Sequence, residues 1–263
     1  MKSIIAIASG KGGVGKSTIA VNLAVALANL PRDQAMKVAL VDVDFYGPSI
    51  PTMMGGGELK VDADQKFIPA LRYGVKYISI AFFLKNPDDA IVWRGPMFGK
   101  AITQLFQDVN WGDVDICIVD MPPGTGDAQL SLSQTVNLDG AIVVTTPQEV
   151  ALSDVRRAIN MFGKVNVKVL GVVENMAGFV TPSGERYDIF GQGGGQELSR
   201  AYNIKLLAKI PLVIAIREGG DQGEPAALNP SSEIGVIFRD LAERVILELH
   251  EGIAAQPALK IVN

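Results

Sequence analysis

The sequence predicts an α/β fold, a mostly parallel β-sheet flanked by helices on both faces. Three observations carry that prediction. Short runs rich in Val and Ile recur without the in/out alternation of a half-exposed strand, as strands buried on both faces read. Helix-length amphipathic segments separate these runs, the pattern of βα units. A glycine-rich stretch, GKGGVGKST, joins the first run to the first helix.

In chain order the strand runs are 4–8, 38–41, 75–80, 116–119, 141–144, 169–173 and 206–210. The helical segments are 16–29, 97–109, 128–136, 149–162, 195–202 and 233–250. The first of these places Ile19, Leu23, Ala26 and Leu27 on one stripe, the spacing of a face turned to a core. Two stretches lack periodicity. Residues 54–69 are polar and glycine-rich and predict a loop or small hairpin; residues 176–195 are rich in glycine and aromatics. Irregular segments of that length in a compact domain are often functional. No repeat, low-complexity tract or linker interrupts the pattern, so a single domain is expected over 1–263, with no additional N-terminal domain.

Apolar residues make up 48% and charged residues 20%, the balance of a folded chain rather than a disordered one. The net charge of −4 offers no basic excess, so a nucleic-acid partner is not expected. One cysteine, Cys117, excludes an intrachain disulfide, and a reducing cytoplasm is the expected location. Cys117 lies in VDICIVD, a run that reads as a buried strand, so a core role is expected for it. The sole histidine, His250, reads as a surface residue that complements the dipole of the last helix. The first apolar run is too short for a signal segment, and none approaches the ~20 residues of a membrane span. The tail HEGIAAQPALKIVN carries one Lys and a Pro, and so lacks a basic amphipathic membrane signal.

The chemistry is concentrated in the glycine stretch. Gly10, Gly15, Lys16 and Ser17 fill the pattern GxxxxGK[ST], between a predicted strand and a predicted helix. Gly12, Gly13 and Gly15 let the backbone turn its N–H groups, Val14's among them, around a phosphate, and the helix N-terminus adds a favourable dipole. Lys16 reaches the β- and γ-phosphates of a nucleotide in such a loop. Ser17 supplies a hydroxyl to Mg²⁺, and Thr18 a further phosphate contact. Carboxylates to accompany the loop stand at two strand ends. VALVDVDF ends a strand at Asp42 with Asp44 two residues on, and DICIVDMPPGTGD ends another at Asp120. In a parallel sheet those ends open on the same edge as the glycine loop. Asp120 fits a carboxylate that holds Mg²⁺ through water, and Asp44 fits the group that orients the attacking water.

Lys11, in addition to Lys16, makes the stretch resemble the deviant Walker A loop of the MinD, ParA and nitrogenase-iron-protein ATPases. The resemblance implies ATP-gated homodimerisation, with Lys11 reaching the partner's phosphates. Further segments narrow it: VDVDFYGPSIPTMMG, VWRGPM, DMPPGTGD, GVVENM, RYDIFGQGGG and AIREGGDQGEP. Together they resemble the Mrp/ApbC family of iron–sulfur cluster carrier ATPases over nearly the whole chain. MinD- and ParA-like proteins share the phosphate loop and a QGEP-like segment, but not FYGPS or WRGPM. The family match implies that Asn175 meets the adenine edge, and that the loop after Pro211, leading to Arg217, packs near the base. Asp42, Asp120 and the loop carrying Pro122, Gly124 and Asp127 would form the γ-phosphate switch. An iron–sulfur scaffold or client apoprotein would be the partner.

The chain departs from that family at its cargo motif. A CxxC pair is expected shortly after ENM, and Thr181 and Gly184 stand there. Thiolates are the usual iron–sulfur ligands, and neither residue replaces one. A bound cluster is therefore not assured by the sequence. The competing expectation is a ParA/MinD-like positioning or recruiting switch without a cluster. A nitrogenase-iron-protein-like reductase needs cysteine ligands that the chain lacks, and no acceptor lid or base marks a small-molecule kinase.

Overall fold

In the computed structural model, which describes residues 1–31, 33–83, 95–181 and 183–255 (the side chains of 95–98, 127 and 252–255 excepted), an eight-stranded sheet forms the centre of the fold. In chain order the elements are β1 (Ser3–Ser9), α1 (Lys16–Ala28), β2 (Val38–Asp42), α2 (Ile50–Met53), β3 (Lys60–Val61), β4 (Phe67–Ile68), β5 (Ala70–Arg72) and β6 (Val75–Ser79). Then follow α3 (Gly95–Gln107), β7 (Ile116–Asp120), α4 (Asp127–Thr135), β8 (Gly140–Thr145), α5 (Glu149–Lys164) and β9 (Val169–Asn175). The last are β10 (Phe179–Val180), β11 (Arg186–Tyr187), α6 (Gly194–Tyr202), β12 (Lys205–Ile210), α7 (Ile214–Gln222) and α8 (Glu233–Ala255).

Strand order is β12-β9-β8-β1-β7-β2-β6-β5. All neighbours run parallel except β5, which pairs antiparallel with β6 at one edge. The mostly parallel sheet expected from the apolar runs is therefore present, and each run lies within a strand or overlaps one to within a residue or two. β3 and β4 form the small hairpin expected within 54–69, and β10 pairs with β11 inside the irregular 176–195.

The two faces of the sheet are packed differently because side chains alternate along each strand. Ile5, Ile7, Leu40, Ile118 and Ile142 point to the face covered by α1 and α8. The intervening Ala6, Ala8, Ala39, Cys117 and Ala141 are smaller and face α3, α4, α5 and α6. Cys117 is fully buried there, and burial pushes its thiol far above the usual range. α1 corrects the single-stripe expectation. Residues 19–27 of α1 are all buried, because the helix lies between the sheet and α8. An amphipathic reading fails for a helix covered on both sides.

α8 closes this layer through Phe238, Leu241, Ala242 and Val245, each with no exposed surface. Replacing Phe238 with Ala removes a large fully buried ring. The expected loss is ~3–5 kcal/mol of unfolding free energy, measured by urea denaturation of the nucleotide-free protein.

Candidate functional site: a phosphate loop and two adjoining clefts

β1, β7 and β2 are adjacent in the sheet, so their C-terminal ends present the glycine loop and both acidic segments side by side. Register sets Asp42 directly opposite Asp120. The loop itself needs two left-handed turns, at Gly13 (φ 80°) and Gly15 (φ 85°), which side-chain-bearing residues rarely adopt. At Gly15 space is also closed: a Cβ would lie 2.2 Å from Nδ2 of Asn175. Gly10 has another reason to be glycine. A Cβ there would meet the backbone of Asp154 on α5 at 2.3 Å, so this position permits α5 to pack against the start of the loop.

Lys16 is the electrostatic centre. It is 6% exposed, and its Nζ lies 2.6 Å from Asp120 Oδ1, 3.2 Å from Asp44 Oδ2 and 3.4 Å from Ser17 Oγ. Burial opposes its charge, but Asp120 and Asp44 outweigh that cost and hold its pKa above the ordinary lysine value. Asp120 has no exposed surface, and burial pushes its carboxyl upward against the pull of Lys16. Asp42 is likewise fully buried. It accepts from Ser79 Oγ at 2.8 Å and from the Asp44 N–H at 3.0 Å. Burial and the charge of Asp120 push it up to about 8, so it is the carboxyl that keeps a proton at neutral pH. The proton retained on Asp42 lowers the negative charge gathered around Lys16 without cancelling it.

Of the expected nucleotide contacts all but Val14 line two contiguous clefts, while Asp42, Asp120, Pro122 and Gly124 line neither. The first, about 230 Å³, is lined by Lys11, Gly12, Gly13, Lys16, Ser17, Asp44 and Pro123 among others. The second, about 470 Å³ and largely apolar, is lined by Asn175, Met176, Pro211, Leu212, Val213 and Arg217, with α2 as the facing wall. Gly15, Thr18 and Met53 border both. The pair suits a phosphate chain at one end and a flat base at the other.

Several placements differ from, or refine, the sequence reading. Arg217 stands on α7 rather than in a loop, paired with Asp221 at 2.8 Å and Glu218 at 3.0 Å. Asn175 uses its Nδ2 to donate to the Val14 carbonyl at 2.9 Å, holding the phosphate loop from beneath while it borders the base cleft. Val14 itself is buried. Lys11 is half-exposed, and among the described residues its ammonium has no ion pair. Pro122 and Gly124 lie in the loop after β7, Gly124 at φ 99° with its N–H on the Ser9 carbonyl at 3.0 Å. The Asp127 side chain and residues 92–94 of the WRGPM stretch lie outside the described residues.

Sequence reasoning missed the α2 wall (Ser49, Thr52, Met53), Ser79 and Gln129. The first lies inside the VDVDFYGPSIPTMMG stretch, and Ser79 lies near the end of the run 75–80. Asp120 Oδ2 is a buried acceptor without a partner, and Lys16 Nζ lies between Asp120 Oδ1 and Ser17 Oγ, at 2.6 and 3.4 Å. A hydroxyl and a carboxylate of this kind are the protein contacts a largely hydrated Mg²⁺ takes beside nucleotide phosphates, and the residues fit that ion. They do not fit a cysteine-ligated cluster. Thr181 Oγ1 accepts from the Glu185 N–H at 3.1 Å, and Gly184, at φ 88°, donates its N–H to the Thr181 carbonyl at 2.9 Å. The two positions close a tight turn between β10 and β11. Among the described residues no group of three or more His, Cys, Asp or Glu has a metal-holding arrangement. No described helix is long and apolar enough to cross a membrane.

A strand–glycine loop–helix unit with a buried lysine and acidic strand ends on one edge of a parallel sheet defines a P-loop nucleoside-triphosphatase. The ParA family model, described as NUBPL iron-transfer P-loop NTPase, matches residues 1–246. The chain belongs to that family. It is 50% identical over 247 residues to the iron-sulfur cluster carrier protein of Aquifex aeolicus, covering 92% of this chain and 67% of that one. To the iron-sulfur protein required for NADH dehydrogenase, mitochondrial, of Arabidopsis thaliana it is 49% identical over 254 residues, 95% of this chain and 80% of the other. Among solved structures it resembles the nucleotide-binding protein of Archaeoglobus fulgidus in complex with ADP, with TM-score 0.74, 39% identity and coverage of 85% and 87%. The cell division ATPase MinD of Pyrococcus furiosus gives TM-score 0.70, 25% identity and coverage of 94% and 99%. The family expected from the sequence motifs is confirmed.

Asp42 carries a pH prediction. Its folded value lies above its unfolded one, so the folded protein keeps a proton that the unfolded chain releases. Its stabilising contribution is complete in acid and is lost as pH rises towards about 8. In Asp42→Asn, the thermal midpoint of the nucleotide- and metal-free protein should fall less steeply than wild type between about pH 5 and 8. Parallel slopes for the two proteins would contradict the assignment.

Proposed function

We propose that this protein binds and hydrolyses ATP with Mg²⁺, dimerises through its nucleotide face when ATP is bound, and uses that cycle in iron–sulfur cluster assembly or transfer. The observation that carries the reading is a phosphate cleft in which Lys16 is already paired with Asp120 and Asp44, while Lys11 at its rim has no ion pair among the described residues. A cation held there without a partner is suited to meet the phosphates of a second copy. The names of the similar proteins, iron-sulfur cluster carriers, supply the direction of the cargo.

The chain's residues then divide the work. The phosphates draw Lys16 away from Asp120 and Asp44, which frees Asp44 to orient the attacking water. Phosphoryl transfer asks for positioning and charge neutralisation more than covalent chemistry. Ser17 and, through water, Asp120 hold the Mg²⁺, which supplies further neutralisation of the phosphate oxygens. Lys11 of the partner subunit stabilises the charge of the transition state. Asn175 and the 211–213 loop enclose the base, with Arg217 at the cleft's rim. The loop of Pro122, Gly124 and Asp127 responds to the γ-phosphate.

The cluster is cargo, and its thiolate ligands come from the scaffold or client apoprotein, since the β10–β11 turn offers none. That same turn favours one alternative, a recruiting switch whose output is dimerisation alone, on a fold similar to MinD. DNA retention that depends on ATP and weakens steeply with salt would select a DNA-positioning form of this alternative.

Two measurements test the reading. Lys16→Ala should abolish nucleotide binding in calorimetry. Lys11→Ala should keep it, yet lose the dimer formed with a non-hydrolysable ATP analogue and lower phosphate release by ~10³-fold. Full turnover in the Lys11 variant would remove the cross-dimer role. Anaerobic reconstitution of the purified protein should leave iron and sulfide at background. Stable cluster on this chain alone would overturn the partner-supplied ligand set.

A further inference from the structure

The segment between β7 and α4 is held by backbone bonds and, from α4, by the side chain of Gln129. Gln129 is 1% exposed and donates its Nε2 to the Pro122 carbonyl at 2.7 Å. A carbonyl only accepts, so this bond settles which end of the amide faces the loop. The other end, Oε1, is buried with no hydrogen-bond partner. Such an acceptor has given up its water and received nothing in return. Pro122 and Pro123 have no N–H to offer it. The Met121 N–H is taken by the Ile7 carbonyl at 3.1 Å, so the donors that remain lie past the prolines, at 124–127. In this arrangement the Gly124 N–H is engaged elsewhere, on the Ser9 carbonyl where β1 enters the phosphate loop. The amide is half-satisfied, and a second position of the loop would complete it.

We propose that Gln129 is a positioning residue that makes the 121–126 segment prefer the triphosphate-bound arrangement. It anchors Pro122 in the nucleotide-free protein. When the segment orders around a γ-phosphate, Oε1 takes a backbone N–H of 124–127. This rests on the ATP-hydrolysing reading above and adds a residue to it. Gln129 touches no substrate; it acts through the loop. Because its acceptor is unmet only in the relaxed arrangement, its effect is to favour ATP over ADP. A purely structural buried amide would support both nucleotides equally.

The test is Gln129→Met in the full chain, a substitution of similar length that can neither donate nor accept strongly. ADP affinity should stay within about twofold of wild type. Affinity for a non-hydrolysable ATP analogue should fall about tenfold, the ratio set by one satisfied buried acceptor. Hydrogen exchange over 121–130, slowed by the analogue and not by ADP in wild type, should lose that difference in the variant. An unchanged ATP-to-ADP preference overturns the proposal, and so does equal weakening of both nucleotides with a lowered melting temperature. If the variant does not fold, the side-chain amide resonance of Gln129 in the wild type decides. It should shift between the ADP and analogue complexes, and one common position in both overturns the proposal. Wild-type protein that binds ATP without releasing phosphate defeats the hydrolytic reading alone, since the Gln129 comparison is read from binding.

Discussion

The buried ammonium of Lys16 is the constraint around which the rest of the site is arranged. A lysine with 6% exposure persists as a cation only where carboxylates stand against it, and Asp120 and Asp44 do so at 2.6 and 3.2 Å. Those carboxylates come from the end of β7 and from just past the end of β2, and the first lies 104 residues from Lys16. Only the order β1-β7-β2, in parallel register, brings the three together. The sheet topology is thus tied to one ion pair network. The network in turn costs several kcal/mol in desolvation that nucleotide binding can redirect, since phosphates offer Lys16 an equivalent partner in a more polar setting. Asp42, opposite Asp120, reduces the negative charge gathered there by remaining protonated.

From that centre two physical connections run outward. One passes along the chain from Asp44 to α2, whose Met53 borders both the phosphate cleft and the base cleft. Gly223, at the end of α7, approaches Gly55 so closely that a Cβ would lie 2.3 Å from its Cα, and Tyr73 donates to the Gly223 carbonyl at 2.7 Å. α2 and α7 therefore meet as opposed walls of the base cleft. A base pressing on them bears on the same segment that carries Asp44. The second connection is β9. Its last residue, Asn175, holds Val14, while Glu174 accepts from the Gly195 N–H at 2.5 Å and fixes the start of α6. Consecutive side chains of one strand thus grip the phosphate loop on one side and the glycine-rich segment after the β10–β11 hairpin on the other.

Much of this was legible in the sequence, for reasons that differ by element. Strands buried on both faces announce themselves as Val- and Ile-rich runs, and the seven runs coincide with β1, β2, β6, β7, β8, β9 and β12. The phosphate loop was legible because its geometry demands particular residues at fixed spacing. α7 was not, because IAIREGGDQ carries two glycines and no buried residue to set a period. α1 was found but misjudged in exposure, since the presence of α8 on its outer side is a tertiary fact. The partner of Asn175 lies 161 residues away, and no local pattern encodes that distance. Asp42 was singled out as a strand-end acid, yet its retained proton follows from register with Asp120, which appears only when the strands are paired.

The β10–β11 hairpin is where sequence and fold together limit the chemistry most sharply. Were Thr181 and Gly184 merely substitutes at a metal site, the loop would be expected to keep an open, ligand-like geometry. Instead the Thr181 hydroxyl and carbonyl are both used within the turn, and Gly184 sits at φ 88°, which a side chain would strain. The segment has been given over to turn formation. It remains anchored to the nucleotide site, however, because the Leu212 N–H bonds to the Gly178 carbonyl and the Ala177 N–H to the Ile210 carbonyl. Those four residues join the hairpin base to the wall of the base cleft. The hairpin is thus tied to the wall of the base cleft while lacking soft ligands of its own. A hairpin so tied moves with that wall, and with Cys117 buried in β7 as the chain's one cysteine it has no thiolate to offer iron.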